Sequence, residues 1–415
     1  MSVVGALNSE IIFCTQSFFS LPERATAYVF CMCSSSYHLA PLGHYRAVVK
    51  DEIAGPDGAA DVRGNNQVAF TDVHVASSCL QKALRRGEGD VAFAAGCYLL
   101  RYDEARLWRR LVVCVFEDFG LCDLSVTAKV VAVVGSRSLR LVLGQERVLA
   151  WLIAKLCALP KDRRLDDLYA LGTGLQARRA GDVYSFGRSG LGGGVPDDVP
   201  GGINGGLIRR TARLIAHCER PVPRRSFRSL SVEACELALT QMAQEELCDR
   251  GLFELCLAGA RLSRCLLPVL VPLAIDATDL SGGLGDAAAQ ALPAAPLLRG
   301  VPAYAFDGFT RVGRAILADL AKREALLQPV LAGLAAFARI DVLHHLLFFA
   351  EGARCVCLRS DRLSQGLHTD AVALGVRLPQ PDADEAVGLM QSLLPRIHAL
   401  RGASPLSQHQ QEDLS

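Results

Sequence analysis

Arginines dominate residues 208–228, IRRTARLIAHCERPVPRRSFR, the most basic window of the chain, in which Glu219 is the one acid. A guanidinium group stays charged and offers several N–H donors, so clustered arginines can follow a phosphate backbone, and Phe227 could stack on a base. The window therefore predicts nucleic-acid contact. The alternative is a solvated surface whose arginines pair with acids elsewhere. The predicted contacts are Arg209, Arg210, Arg213, Arg224, Arg225 and Arg228.

A second candidate anion site is the segment 304–314, YAFDGFTRVGR. Thr310 stands where a helix N-cap is expected, and Arg311 and Arg314 follow it. Free N–H groups at a helix start and the helix dipole attract anions, so these three residues are predicted to bind an anion or a phosphate. The alternative needs no ligand, since Thr310 can cap the helix while the neighbouring aromatic residues pack as a hydrophobic staple.

Charged residues also cluster at both ends of an apolar-faced helix predicted over 107–119. Arg106, Arg109 and Arg110 lie at its first turns, and Glu117 and Asp118 lie at its end. The helix dipole disfavours this order by about 0.3–1 kcal/mol per charge. The pattern predicts an anionic partner for the arginines or salt bridges to another helix or subunit.

Spacing argues against the other reactive combinations. Adjacent His344 and His345 diverge on a helix, and the Cys-x-Cys pairs at 31–33 and 355–357 lack the usual separation of zinc ligands. The glycine-rich residues 181–206 are predicted to be a flexible linker rather than a phosphate-binding loop, because no strand precedes them and they contain no lysine. No nucleophile motif occurs. We therefore predict no catalytic residue, no metal and no cofactor, and enzymatic activity is not favoured.

Apolar periodicity places these candidates mainly on helices. Gly87 and Gly89 separate the first two amphipathic runs after residue 75, Gly172 and Gly174 are predicted to end a later helix, and Gly251 is predicted to stop the helix capped by Ser231. Helices are predicted at 91–100, 107–119, 124–134, 146–159, 162–171, 231–251, 252–267, 312–328, 329–350 and 383–400.

The predicted fold class is mainly α, with multi-helix domains and a small β-containing N-terminal region. Short strands are predicted at 11–13, 27–30 and 45–49. The predicted parts of the chain are an N-terminal region at 1–70, a helical domain at 71–180, a glycine-rich linker and arginine-rich segment at 181–228, a second helical domain at 229–400 and a disordered tail at 401–415.

The order LQKALRRG, a helix, RLWRRLVV and EDFGLCD resembles the C-terminal helical domain of the replication-associated recombination protein A family, AAA+ ATPases of DNA repair and replication restart. The likeness covers residues 75–170, and it includes VLAWL at 148–152 and ALPK at 158–161. Because this domain makes the family's ATPases tetrameric, the resemblance implies an oligomer interface. The implied interface residues are Arg106, Trp108, Arg109, Arg110, Glu117 and Asp118. The ATP-binding motif G-x-x-x-x-G-K-[ST] does not occur here, so ATP hydrolysis is not implied.

Composition sets broad limits on partners and location. A formal net charge of +1 over 415 residues gives no global attraction to nucleic acid or membrane. Fifteen cysteines, an odd number scattered mostly in apolar runs, indicate a reducing compartment. The longest apolar run, 266–275, is shorter than the ~20 residues of a membrane helix, and no signal peptide is recognised. We expect a cytoplasmic protein with no membrane partner.

Together these patterns predict a non-enzymatic DNA-maintenance assembly factor. It would form a homo-oligomer and contact DNA or a separate AAA+ ATPase. Two alternatives remain. One is an enzyme that binds a phosphorylated small ligand in a cleft between the helical domains, where Arg311, Arg314 and His217 would converge. The other is a purely structural homo-oligomer, favoured if the arginines of 209–228 are paired with acids.

Overall fold

The described part of the chain is mainly α, as predicted. The structure is a computed structural model, and it describes residues 38–55, 70–179, 203–221, 228–277, 293, 295–353, 362–379 and 382–403. Apart from helices, these residues form two small antiparallel two-stranded sheets. The strands predicted at 11–13 and 27–30 and the Cys-x-Cys pairs at 31–33 and 355–357 lie outside the described residues.

The first described helix replaces a predicted strand. Residues 45–49 lie inside α1, Leu42–Ala54. Tyr45, Val49 and Ile53 recur every four residues and bury one face of α1. The short apolar run at 45–49 fits both a strand and a helix, and the apolar Ile53 one turn later is the residue that favours a helix.

Seven helices follow from residue 73 to residue 179. Their bounds are α2, Val73–Arg86; α3, Gly89–Tyr102; α4, Glu104–Cys114; α5, Leu124–Val134; α6, Arg137–Leu143; α7, Gln145–Ala158; and α8, Arg164–Arg179. A π-helical turn, Val115–Phe119, continues α4. Gly87 ends α2 with a φ of 74°, as its type predicted. The predicted bounds of α5 are confirmed, whereas α6 was not predicted.

The predicted end of α8 at Gly172 is wrong, because the helix continues to Arg179. Gly172 faces α9, Ile203–Cys218, and a Cβ there would lie 2.6 Å from Cγ2 of Thr211. The glycine therefore permits close packing of the two helices and does not end one of them. The start of α9 also shortens the predicted linker, since residues 203–206 are helical.

The chain continues through a hairpin and three helices. Their bounds are β1, Glu219–Pro221; β2, Arg228–Leu230; α10, Val232–Gln244; α11, Arg250–Ser263; and α12, Leu267–Ala277. Ser231 caps α10 as predicted, by accepting a hydrogen bond from the N–H of Ala234. The predicted helix stop at Gly251 is wrong. Gly251 lies in the first turn of α11, where a Cβ would overlap the main-chain carbonyl of Leu39.

The last part contains a hairpin and six helices. Their bounds are β3, Leu297–Leu298; β4, Val301–Pro302; α13, Arg311–Arg323; α14, Gln328–Leu331; α15, Ala336–Phe348; α16, Arg362–Val376; α17, Asp382–Ser392; and α18, Leu394–Ala403. The helix predicted at 329–350 is divided near Gly333, whose φ is 72°, and the one predicted at 383–400 is divided at Leu393. Neither α16 nor the β3–β4 hairpin was predicted. The start of the predicted disordered tail, residues 401–403, belongs to α18.

Buried apolar side chains from Leu42 to Ile397 form one continuous cluster. The described residues belong to one compact unit, Tyr37–Ser415. Contacts between α8, α9 and α16 join residues that are far apart in the sequence, and α2 packs against the turn Ala303–Ala305. In the described part of the chain, no helix combines the length and the apolarity that crossing a membrane requires.

Candidate functional site

The helix α4 carries most of the predicted interface residues, and its charge order is compensated locally. Asp103 caps α4, and its carboxylate accepts hydrogen bonds from the N–H of Arg106 at 3.0 Å and from its Nε at 2.8 Å. The Arg106 contacts lower the pKa of Asp103 below its usual range, although partial burial opposes this. The acids of the first turn therefore offset the unfavourable position of Arg106 near the positive end of the helix dipole.

Asp118 is the centre of a buried ion-pair network. Its side chain is 0% exposed, and it accepts hydrogen bonds from Arg85 Nε at 2.7 Å and from Arg163. Both guanidinium groups also lie 4.8 Å from the ring centre of Phe348. Burial alone would raise the pKa of Asp118, but the charges and hydrogen bonds of Arg85 and Arg163 outweigh burial and lower it. The predicted pairing of this carboxylate with arginines of neighbouring helices is confirmed within the chain.

Some of the residues predicted to form the oligomer interface are thus buried within the fold of the single chain. Trp108 and Asp118 are buried, whereas Arg109 is exposed. An interface on this helix would use Arg109 and the half-buried Arg106 and Arg110. It stays a prediction.

Thr310 acts as an N-cap, which is the ligand-free alternative. Its Oγ1 donates to the carbonyl of Asp307 at 2.8 Å and accepts from the N–H of Gly313 at 3.1 Å. Thr310 is 2% exposed, so its hydroxyl is not open to a ligand. Arg311 and Arg314 are exposed at the start of α13. Of the three residues predicted to bind an anion, only the two arginines are therefore accessible to a ligand.

A cleft with polar walls opens between α2, α4 and the turn before α13, and its volume is about 290 Å³. We call it the polar cleft. Its charged walls combine Lys82, Arg85, Arg106 and Arg110 with two carboxylates, Glu117 and Asp307. The rest of the wall includes Ser77, Ser78, Gln81 and Phe309. Neither Arg311, Arg314 nor His217 lines it, so the convergence expected from the sequence does not occur here.

A second, more open cavity of about 420 Å³ is rich in arginines. We call it the arginine surface, and its arginines are Arg109 of α4, Arg137 and Arg140 of α6, and Arg261 and Arg264 at the end of α11. Within the described residues, Arg109, Arg137 and Arg264 are exposed and form no ion pair with a carboxylate.

The remaining two arginines of this surface are partly compensated. Arg261 pairs with Glu236 at 3.0 Å. Arg140 is buried, stacks 4.5 Å from the ring centre of Trp108 and donates to main-chain carbonyls at the end of α5. Glu104 lies 3.9 Å from Arg140 and is the carboxylate that lines the cavity. Positive charge therefore exceeds negative charge on this surface.

Arg264 holds an unusual backbone conformation. It is the C-cap of α11 and has a φ of 60°, a left-handed conformation that glycine or asparagine normally adopts at this position. An arginine there costs roughly 1 kcal/mol of backbone strain. Glu246, Arg299 and Arg377 also have a positive φ, so this conformation by itself does not distinguish Arg264 from other residues at turns and helix ends.

The arginine-rich segment at 209–228 is only partly available for nucleic acid. Arg210 pairs with Asp276 at 3.3 Å and Glu245 at 3.6 Å, as the solvated-surface alternative predicts. Arg213 and Arg220 are exposed, and Arg209 is half-buried. Arg224 and Arg225 lie outside the described residues, and of Arg228 only the backbone in β2 is described.

The chain matches nothing in the comparisons with known proteins. No protein-family model, no curated protein and no solved structure gave a match. The polar cleft and the arginine surface are therefore the features from which a function can be inferred. Neither was predicted from the sequence, because each brings together residues that are distant along the chain.

Burial makes the thiols of Cys97 and Cys157 poor nucleophiles. Burial is the main cause that raises the pKa of Cys97 and of Cys157 to about 11, with smaller effects from nearby charges. At neutral pH such a thiol is almost entirely protonated, and the thiolate is the reactive form. The described cysteines thus act as apolar packing residues, as their place in apolar runs predicted.

Proposed function

We propose that this chain is a non-enzymatic DNA-maintenance assembly factor that contacts DNA through the arginine surface. The observation that carries the proposal is the set of exposed arginines, Arg109, Arg137 and Arg264, that have no carboxylate partner in the described residues. Unpaired arginines on one open surface are a suitable contact for a phosphate backbone, because they bind phosphate oxygens and release counterions from the nucleic acid.

The near-neutral charge of the chain supports a local contact. With a formal net charge of +1, a surface that carries several uncompensated arginines differs from the rest of the molecule. Such a surface attracts a polyanion at a defined place, while the net charge gives little unspecific attraction.

The oligomeric part of the proposal rests on the resemblance at residues 75–170. In the resembled family this domain assembles the ATPase, so we propose that the chain forms a homo-oligomer and works beside a separate AAA+ ATPase. The arginines of α4, of α6 and at the end of α11 would then contact the DNA on which the partner acts.

Fluorescence anisotropy with labelled single-stranded, duplex and forked DNA across a salt series tests the proposal, with the mass measured by light scattering. Changing Arg109, Arg137 and Arg264 to alanine removes up to three phosphate contacts. The slope of log affinity against log salt should therefore fall in magnitude by about 3. Absence of wild-type binding at low salt would disprove DNA contact, and a monomeric mass would disprove the oligomer.

A matched control separates the two basic regions. Changing Arg209, Arg213 and Arg220 to alanine removes the same number of charges from the segment first predicted to bind DNA. We expect this variant to keep most of the affinity and most of the salt slope. The opposite result, with loss in the control and none in the surface variant, would move the contact to the arginine-rich segment.

A further inference from the structure

Two neighbouring arginines of α4 belong to different cavities. Successive residues of an α-helix point about 100° apart, whereas residues four apart share a face. Arg106 and Arg110 therefore share the face that lines the polar cleft, and Arg109 lines the arginine surface. The polar cleft is a separate site, which the proposed contact with DNA does not use.

Among the arginines and lysine that line the polar cleft, Arg110 is the one that has no carboxylate partner in the described part of the chain. Its Nε donates to Ser77 Oγ at 3.2 Å and its Nη1 donates to Gln81 Oε1 at 3.2 Å. These neutral acceptors fix the plane of the guanidinium group without neutralising its charge. Within the described residues its Nη2 makes no hydrogen bond. Arg106 lies one turn away, and its hydrogen bonds to the Asp103 side chain use its backbone N–H and Nε.

Both carboxylates of the cleft contact cations other than Arg110, and Glu117 shares its two arginines with the buried Asp118. Asp307 pairs with Lys82 at 2.8 Å. Glu117 lies 3.6 Å from Arg85 and 3.4 Å from Arg163. The charges of Lys82 and Arg85 are thereby used inside the protein, and Arg110 keeps a positive charge that an external anion can neutralise.

An exposed aromatic ring borders the same cleft. Phe309 is 76% exposed, although its backbone N–H is held by Asp307 Oδ1 at 2.9 Å. Its ring stands edge-on to His344 at a centroid distance of 4.6 Å, so its position is supported from one side. A large apolar side chain that is exposed beside a polar cleft is typical of a binding site for a ligand with a flat ring.

We propose that the polar cleft binds a small phosphorylated metabolite with a planar ring, of the nucleoside monophosphate class. The phosphate contacts Arg110, Arg106 and the hydroxyl of Ser77, and the ring packs against Phe309. A volume of about 290 Å³ is at the lower limit for small-molecule sites and too small for a polymer strand.

Isothermal titration of the full-length chain with adenosine monophosphate, adenosine and inorganic phosphate tests this proposal. We expect the monophosphate to bind more tightly than either fragment. Arg110→Ala should weaken its binding by about tenfold or more, because a charged hydrogen-bonded contact is lost. Arg109→Ala should leave it unchanged, since this neighbour faces the arginine surface.

A second variant keeps the test valid if Arg110→Ala does not fold. Phe309→Ala removes an exposed ring and should weaken binding of adenosine monophosphate while leaving inorganic phosphate unaffected. Absence of binding at millimolar concentration, or unchanged binding in both variants, would overturn the proposal. Because Arg109→Ala affects DNA affinity and Arg110→Ala affects the small ligand, failure of either proposal can be recognised independently of the other.

Discussion

Replacing Asp118 by alanine is expected to lower the free energy of unfolding by about 3–5 kcal/mol. The magnitude follows from burial, because Asp118 is 0% exposed and the side chains of Arg85 and Arg163 are each 2% exposed. Without the carboxylate, the one acid that both buried guanidinium groups still contact is Glu117, whose side chain is 18% exposed, and Arg163 also keeps its contact with the partly exposed Asp166. This loss is a large fraction of the 5–15 kcal/mol that typically stabilises a folded protein.

The effect of Asp118→Ala should depend on pH in one direction. Burial would raise the pKa of Asp118, but Arg85 and Arg163 lower it below the value of about 3.9 expected in the unfolded chain. A carboxyl group with a lowered folded pKa stabilises the fold above its unfolded pKa and loses this contribution as the pH falls through the folded pKa. The difference between wild type and variant should therefore be full at neutral pH and shrink in acid below about pH 4.

Urea unfolding followed by circular dichroism, at pH 7 and in steps toward pH 3, measures this difference. Asp166→Ala is the control, since Asp166 also contacts Arg163 but is about a third exposed, and it should cost no more than about 1 kcal/mol. A loss below 1 kcal/mol for Asp118→Ala, or a difference that grows as the pH falls, would refute the buried network.

Four further substitutions test the close packing at Gly251, the ion pair of Glu351 with Arg401 and the cap at Thr310. Gly251→Ala places a Cβ on a main-chain carbonyl and should destabilise by about 1–3 kcal/mol, whereas Gly388→Ala, in open space, should be neutral or stabilising by up to about 1 kcal/mol in the same urea assay. The pKa of Glu351, which burial would raise, is lowered to about 2 chiefly by Arg401. Wild-type stability should thus fall between about pH 4.5 and 2, and Glu351→Gln should flatten this part of the curve. Thr310→Ala should cost about 1 kcal/mol in thermal unfolding, and no change would contradict its capping role.

Local signals in the sequence predicted the class and several boundaries correctly. Gly87 ends α2 because a left-handed residue is required there, and Ser231 and Thr310 cap helices because their hydroxyls satisfy free N–H groups. The bounds of α5 follow from an apolar run between Asp123 and Gly135. In each case the interactions that set the boundary lie within a few residues of it.

The helix ends predicted at two glycines are wrong, because a contact with a residue distant in the sequence explains each glycine. Gly172 and Gly251 were predicted to end helices, but both lie inside them, since Thr211 and the carbonyl of Leu39 approach too closely for a side chain. The residue type does not tell whether a glycine permits close packing or ends a helix. Only the neighbour in space distinguishes them.

The sequence by itself determined that the protein is mainly α, that its charge is balanced overall and that its cysteines lie largely in apolar surroundings. Only the tertiary structure decided which arginines are available. Arg210, in the most basic window, is paired with Glu245 and Asp276, whereas Arg109, Arg137 and Arg264 meet on one surface and none of the three forms an ion pair within the described residues. The physical reason is that charge compensation depends on distances of a few ångströms between side chains, and such distances are set by helix packing rather than by neighbours along the chain.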